Sequence, residues 1–204
     1  MDSIYANGGS LLRPLRSRQY EVGIKSEHRR WSANAAVFRI ERGAAYANDE
    51  NVYVQDGDSI YEGIEMGGSV RLGRSWQVTS DVMLLDSWYA KGQAYNDQRV
   101  AGAPRFVAAA RVTYDVPAVQ GLQLAADAKY TGNEEVRPAG NLETSGYVLV
   151  NIGANYVTNI GGHGVTLRAA VNNVTNRRYW MYQYSDYIAP GDPRTVSLSA
   201  KFDF

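Results

Sequence analysis

The feature that most constrains the fold is an alternation of apolar and polar residues with a period of two. It is cleanest at the end of the chain. Val196, Leu198, Ala200, Phe202 and Phe204 are apolar, and Ser197, Ser199, Lys201 and Asp203 stand between them. A period of two gives a strand one apolar and one polar face. The pattern ends on the ring of Phe204, whereas the ends of soluble strands usually fray into water. A strand that closes on an aromatic side chain suits a barrel buried in lipid.

The same alternation recurs back along the chain. Tyr20, Val22 and Ile24 alternate with Glu21, Gly23 and Lys25, and Ala33, Ala35 and Val37 continue it over residues 31–42. Later apolar series are Ile64, Met66, Val70, Leu72; then Trp76, Val78, Val82, Leu84; then Phe106, Ala108, Ala110, Val112, Tyr114. Three more run through Leu122–Tyr130, Val148–Tyr156 and Val165–Val171. Residues 1–16, 43–58, 87–103, 132–145 and 174–192 read as loops, with Val52-Tyr53-Val54 the one stretch of strand character in the second. The expectation is an all-β chain of about nine antiparallel strands.

Two regularities turn that into a membrane barrel. Short and long connections alternate, as they do when short turns face the periplasm and long loops face outward. Tyr20, Trp31, Trp76, Tyr114, Tyr130 and Tyr156 sit at the edges of the apolar faces, where an interfacial girdle belongs. Composition agrees. The chain has 15 Tyr, 20 Gly and 6 Pro, which favours β structure over disorder. Net charge is zero, so there is no general pull on nucleic acid. The absence of Cys excludes disulfides and thiolate metal sites. No apolar run is long enough for a transmembrane helix.

If Phe204 ends in the periplasm, the odd-numbered strands run inward and residues 1–16 lie outside. Single-chain bacterial barrels have an even number of strands. An odd number, with no signal peptide after Met1, predicts that sequence is missing upstream.

The segment Val171-Asn172-Asn173-Val174-Thr175-Asn176-Arg177-Arg178-Tyr179-Trp180 resembles a motif near the end of TonB-dependent outer-membrane receptors. Gly191-Asp192-Pro193-Arg194-Thr195-Val196 resembles their entry into the last strand, and Lys201-Phe202-Asp203-Phe204 their closing aromatic. Upstream, Arg18-Gln19-Tyr20-Glu21-Val22-Gly23-Ile24-Lys25, Ala36-Val37-Phe38-Arg39-Ile40 and Tyr61-Glu62-Gly63-Ile64-Glu65 are similar to successive strands of the same receptors. Siderophore receptors are the nearest subgroup.

The resemblance implies that residues 1–204 are the C-terminal portion of a barrel of about 22 strands, with the plug domain and signal peptide absent. It implies a Gram-negative outer-membrane location and a part in ferric siderophore uptake, supplying barrel wall and extracellular loops without transporting alone. The implied partners are the ferric siderophore, outer-membrane lipid, the barrel assembly machinery and, only through the missing plug, TonB. No cofactor and no nucleic acid are expected. The alternative is a self-contained small barrel acting as a pore or adhesin.

The loop Tyr179-Trp180-Met181-Tyr182-Gln183-Tyr184-Ser185-Asp186-Tyr187 is strongly aromatic. Tyr182, Tyr184 and Tyr187 are the candidate ligand-binding residues, since rings at the mouth could stack on a chelate. A packed hairpin extending the strands accounts for the same residues. Phe202 and Phe204 are the candidate membrane-assembly signal. Arg105, Arg111, Arg168, Asp127, Lys129 and Glu65 fall on the lumen face, as a solvated or plug-facing wall. His28 and His163 lie in short turns with no reactive Ser beside them, and the carboxylates form no metal-ligand pattern. The expectation is no catalytic or metal site, and no enzyme.

Overall fold

The structure is a computed structural model, and it describes residues 4–184 and 187–203. Its long strands are β1 (Ser17–His28), β2 (Trp31–Ala47), β3 (Tyr53–Leu72), β4 (Trp76–Ala90), β5 (Phe106–Asp115) and β6 (Leu122–Thr131). The series ends with β9 (Tyr147–Ile160), β10 (His163–Asn172) and β13 (Thr195–Asp203). Two small ladders lie in the connections between them, β7 (Glu134–Glu135) with β8 (Glu143–Thr144), and β11 (Trp180–Tyr184) with β12 (Tyr187–Pro190). The nine long strands form one sheet in the order β1-β2-β3-β4-β5-β6-β9-β10-β13, every neighbour antiparallel.

The register carries the alternation across the whole sheet. Val22 pairs with Val37, Val37 with Ile64, Ile64 with Leu84 and Leu84 with Phe106. Farther along, Ala126 pairs with Ile152, Ile152 with Val171 and Val171 with Val196. Residues directly opposite in an antiparallel pair share a face, so these rows form one apolar band. None of the described residues covers it: Ile64 and Ile152 lie in interior strands yet remain 42% and 44% exposed. So large an apolar surface needs a nonaqueous neighbour. No described helix is long and apolar enough to cross a membrane.

The opposite face is polar and cross-paired. Arg111 faces Asp127 across β5 and β6, and Asn151 Nδ2 donates to Asp127 Oδ2 at 2.7 Å. Arg168 Nε donates to Asn155 Oδ1 at 3.2 Å. Glu65 and Lys129 sit on the same face, opposite Ala36 and Ala109. Arg105 lies just before β5, its carbonyl accepting from the Leu85 amide at 2.8 Å.

Aromatic rings mark both edges of the band. Trp76 packs on Tyr114 with centroids 4.3 Å apart, and His28 stacks on Trp31, all at the short-turn end. Phe106 packs on Tyr130 at 5.7 Å near the other end.

Residues 43–58 are the main departure from the sequence reading. They are largely strand, because β2 and β3 continue past the band and pair through Ala45–Gln55, Tyr46–Val54 and Ala47–Tyr53. A register shift between Gly43 and Ala45 lets the ladder resume. Only residues 48–52 turn, closed by the Val52 amide on Asn48 Oδ1. The connection here, 48–52, is therefore far shorter than residues 43–58 suggested, although it still exceeds the turns 29–30 and 73–75 on either side. His163 begins β10 rather than sitting in the turn, which is 161–162.

Among the described residues β1 pairs only with β2, and β13 only with β10. These two edge strands run in the same direction, because eight antiparallel steps separate them.

Candidate functional site

Above the apolar band, at the end with long connections, strand extensions and loops enclose a cluster of tyrosines. Ala44, Tyr46, Tyr89, Val100 and Ala103 form a buried core, with Val54, Tyr61, Leu85 and Tyr95 packed against it. The Tyr46 ring meets Tyr89 and Tyr95 edge-on at 5.4 and 5.0 Å, a favoured aromatic geometry. The Tyr46 hydroxyl donates to Asp56 Oδ2 at 2.6 Å, and Asp56 also accepts the amides of Gln93 and Ala94. One carboxylate on β3 thereby anchors the connection that follows β4. Tyr95 donates to Asp49 Oδ1 at 3.2 Å and ties the same connection to the β2–β3 turn.

The N-terminal segment closes one side. Asn7 exchanges two hydrogen bonds of 2.9 Å with the Tyr53 backbone, and buried Tyr5 packs on the Tyr53 ring at 4.9 Å.

The β11–β12 hairpin closes the other side. Tyr182 lies against Gly102, whose φ of 71° favours glycine and whose missing Cβ leaves room for the ring. Burial pushes the Tyr182 phenol up, with Tyr89, Tyr53, Tyr5 and Tyr61 adding to it. Tyr184 and Tyr187 pack on each other at 4.8 Å and stay exposed at the tip. The three candidate tyrosines thus divide into one inward ring and an outer pair. Ser185 and Asp186 lie outside the described residues, as does Phe204. Phe202 faces Val165 across the last ladder, half-exposed on the apolar side.

Sequence reasoning missed Tyr5, Tyr46, Tyr53, Tyr61, Tyr89 and Tyr95 as parts of one site. Its one available signal was the high tyrosine count, with all of these but Tyr61 in stretches read as loops. The cluster offers aromatic faces and neutral phenols. Among the described residues no group of three or more His, Cys, Asp or Glu gathers to hold a metal ion.

Replacing Tyr182 by Ala should loosen this end. Burying an aromatic side chain is worth roughly 1.5–3 kcal/mol, so amide exchange at residues 100–103 should quicken about tenfold or more, as read by exchange mass spectrometry. Unchanged exchange would show that the hairpin does not hold the cluster.

An antiparallel sheet with one whole apolar face, a polar opposite face, aromatic girdles and long loops gathered at one end is the wall of a transmembrane β-barrel. The chain matches the family described as TonB dependent receptor-like, beta-barrel, over residues 1–174, and it belongs to that family of outer-membrane proteins. It is 28% identical over 203 residues to the ferrichrome receptor FcuA of Yersinia enterocolitica, covering 97% of this chain and 27% of that one. It is 27% identical over 179 residues to the ferrioxamine B receptor of Salmonella typhimurium, covering 84% of this chain and 26% of the receptor. The solved structure of BauA, the ferric preacinetobactin receptor of Acinetobacter baumannii, superposes with a TM-score of 0.81 at 25% identity. That match covers 99% of this chain and 31% of BauA. The chain spans about a quarter of the length of the curated relatives it matches.

Proposed function

We propose that the chain is the C-terminal part of the barrel of a receptor that takes up ferric siderophores. It supplies wall and outer loops, and it does not transport alone. The observation that carries this reading is the near-complete match of the chain to receptors named for ferrichrome and ferrioxamine, of which it spans only a quarter. The tyrosine-lined mouth supports it, since stacked rings and phenols suit a bulky neutral chelate. The two singly paired edge strands count against a self-contained pore or adhesin, because a barrel wall tolerates no open edge in lipid. The matched relatives are receptors and transporters, and the role read here is binding and passage rather than catalysis.

In this reading TonB acts through a plug carried elsewhere in the receptor. Lipid covers the apolar band, and the assembly machinery reads Phe202 and Phe204.

The test is uptake of radioactive iron by a receptor-deficient strain expressing the complete receptor that contains this chain, fed hydroxamate, catecholate and mixed chelates in turn. At least one chelate should enter well above the vector control. Changing Tyr182, Tyr184 and Tyr187 together to Ala should reduce that uptake while the barrel still shows its heat-dependent gel shift. A receptor assembled in the outer membrane that takes up none of the chelates would overturn the proposal.

A further inference from the structure

Three long connections meet at the short ladder of β7 and β8. The Gly102 amide, from the connection after β4, donates to the Glu135 carbonyl at 2.8 Å. The Tyr182 amide of β11 donates to the Glu134 carboxylate. In the ladder itself Glu135 stands directly opposite Glu143, and like charges in that position repel.

One cation reaches both. Arg99 reaches Glu135 at 3.6 Å and Glu143 at 3.8 Å, and its terminal nitrogen donates to the Ala103 carbonyl at 3.2 Å. Glu135 is only 7% exposed. Arg99 Nε and Glu135 Oε2 are both buried without a hydrogen-bond partner. With both carboxylates ionised, Glu143 keeps its charge open to water, but the charge on Glu135 stays buried with Oε2 unpaired, which is costly. A proton on Glu135 removes that charge. The orphan oxygen becomes a donor that can turn to Glu143, and Arg99 and Glu143 remain as a neutral pair.

We propose that Arg99, Glu135 and Glu143 form a proton-operated clasp that holds the connections after β4 and β6 together in mild acid and loosens them toward neutral pH.

The surrounding charges agree with that direction. Burial pushes the Glu135 carboxyl up, Glu143 pushes it further, and Arg99 and Arg105 oppose them. Glu134 beside it is also raised by burial, against Lys129 and the Tyr182 amide. The packed clasp therefore binds a proton more tightly than the opened loops do. Its stability is greatest below the ordinary carboxylate range and falls as pH rises through the raised value.

The experiment follows the loops themselves, so it stands whether or not a chelate is taken up. The chain has no native Cys. In the complete receptor in detergent micelles, spin labels at Q93C and A139C report the distance between the two connections. The wild-type distance distribution should be narrow near pH 5 and at least about twofold broader near pH 7.5, the direction expected when a raised carboxyl loses its proton. Glu135→Gln, which mimics the protonated form, should be narrow at both. Glu143→Gln, which removes the facing carboxylate but leaves Glu135 buried, should weaken the pH response and serves if the first variant does not fold. A wild-type distribution that ignores pH, or a glutamine variant that keeps the full wild-type response, overturns the proposal.

Discussion

An arginine at Ala110 is expected to destabilise the assembled barrel strongly, while an arginine at the preceding Ala109 is tolerated. The two alanines are chain neighbours on opposite faces. Ala110 sits midway along β5 in the row of Ser80 and Ala128, on the apolar band. Ala109 lies between Asp81 and Lys129 on the polar face, where a new guanidinium can pair with Asp81. An arginine facing lipid near the bilayer midplane costs about 2–4 kcal/mol, a large part of a stability on the order of 5–15 kcal/mol. The native Arg111, one residue on, faces Asp127 and shows that the polar face accepts such a group. Urea midpoints and heat-dependent gel shifts of the complete receptor in lipid vesicles would measure the difference. Equal effects of the two substitutions would mean that the faces are assigned wrongly.

The second large effect belongs to Asn173. It follows β10 with a φ of 49° and is 4% exposed. Its Oδ1 accepts the Arg177 amide at 2.8 Å, and its Nδ2 donates to the carbonyls of Arg177 at 2.9 Å and Asp192 at 3.0 Å. Its own amide donates to Asn151 Oδ1 at 2.8 Å. One side chain thus joins the entry of the last long connection to its exit. Asn173→Ala removes three hydrogen bonds, leaves their backbone partners at Arg177 and Asp192 without them and retains the left-handed backbone, so a loss of about 2–4 kcal/mol is expected. Asn173→Gly keeps the backbone at ease and should be milder by roughly 1 kcal/mol. Amide exchange at Arg177 would register the change directly, and protection there that survives the alanine variant would refute this account.

How far the sequence could be read follows from where the surroundings are uniform. Inside the bilayer each residue meets either lipid or the lumen, so Val22 through Val196 reveal their face by alternation alone. Beyond it that contrast ends. Tyr46, Tyr89 and Tyr95 lie far apart in the chain. A register shift at Gly43 and the anchoring of a distant loop by Asp56 bring them together, and no local pattern records either event. The mouth hairpin adds a subtler obstacle. Tyr182 and Tyr184 are two apart and should share a face, but the β11–β12 register slips between them, so one ring points inward and the other lies at the tip. Asn173 stood out within a recognisable segment, whereas its reason, a left-handed turn stitched from inside, needed coordinates.

The common direction of β1 and β13 sets a rule of parity for whatever completes the wall. A second copy inserted with the same membrane orientation would bring β13 against β1 as a parallel pair, and so would rolling the sheet onto itself. Antiparallel closure requires an odd number of further strands. Inside the membrane, where orientation is fixed, this sheet is therefore a poor partner for itself and a fitting one for a complement of opposite parity. In water no such orientation is imposed, and the same two edges would recruit copies of either sense.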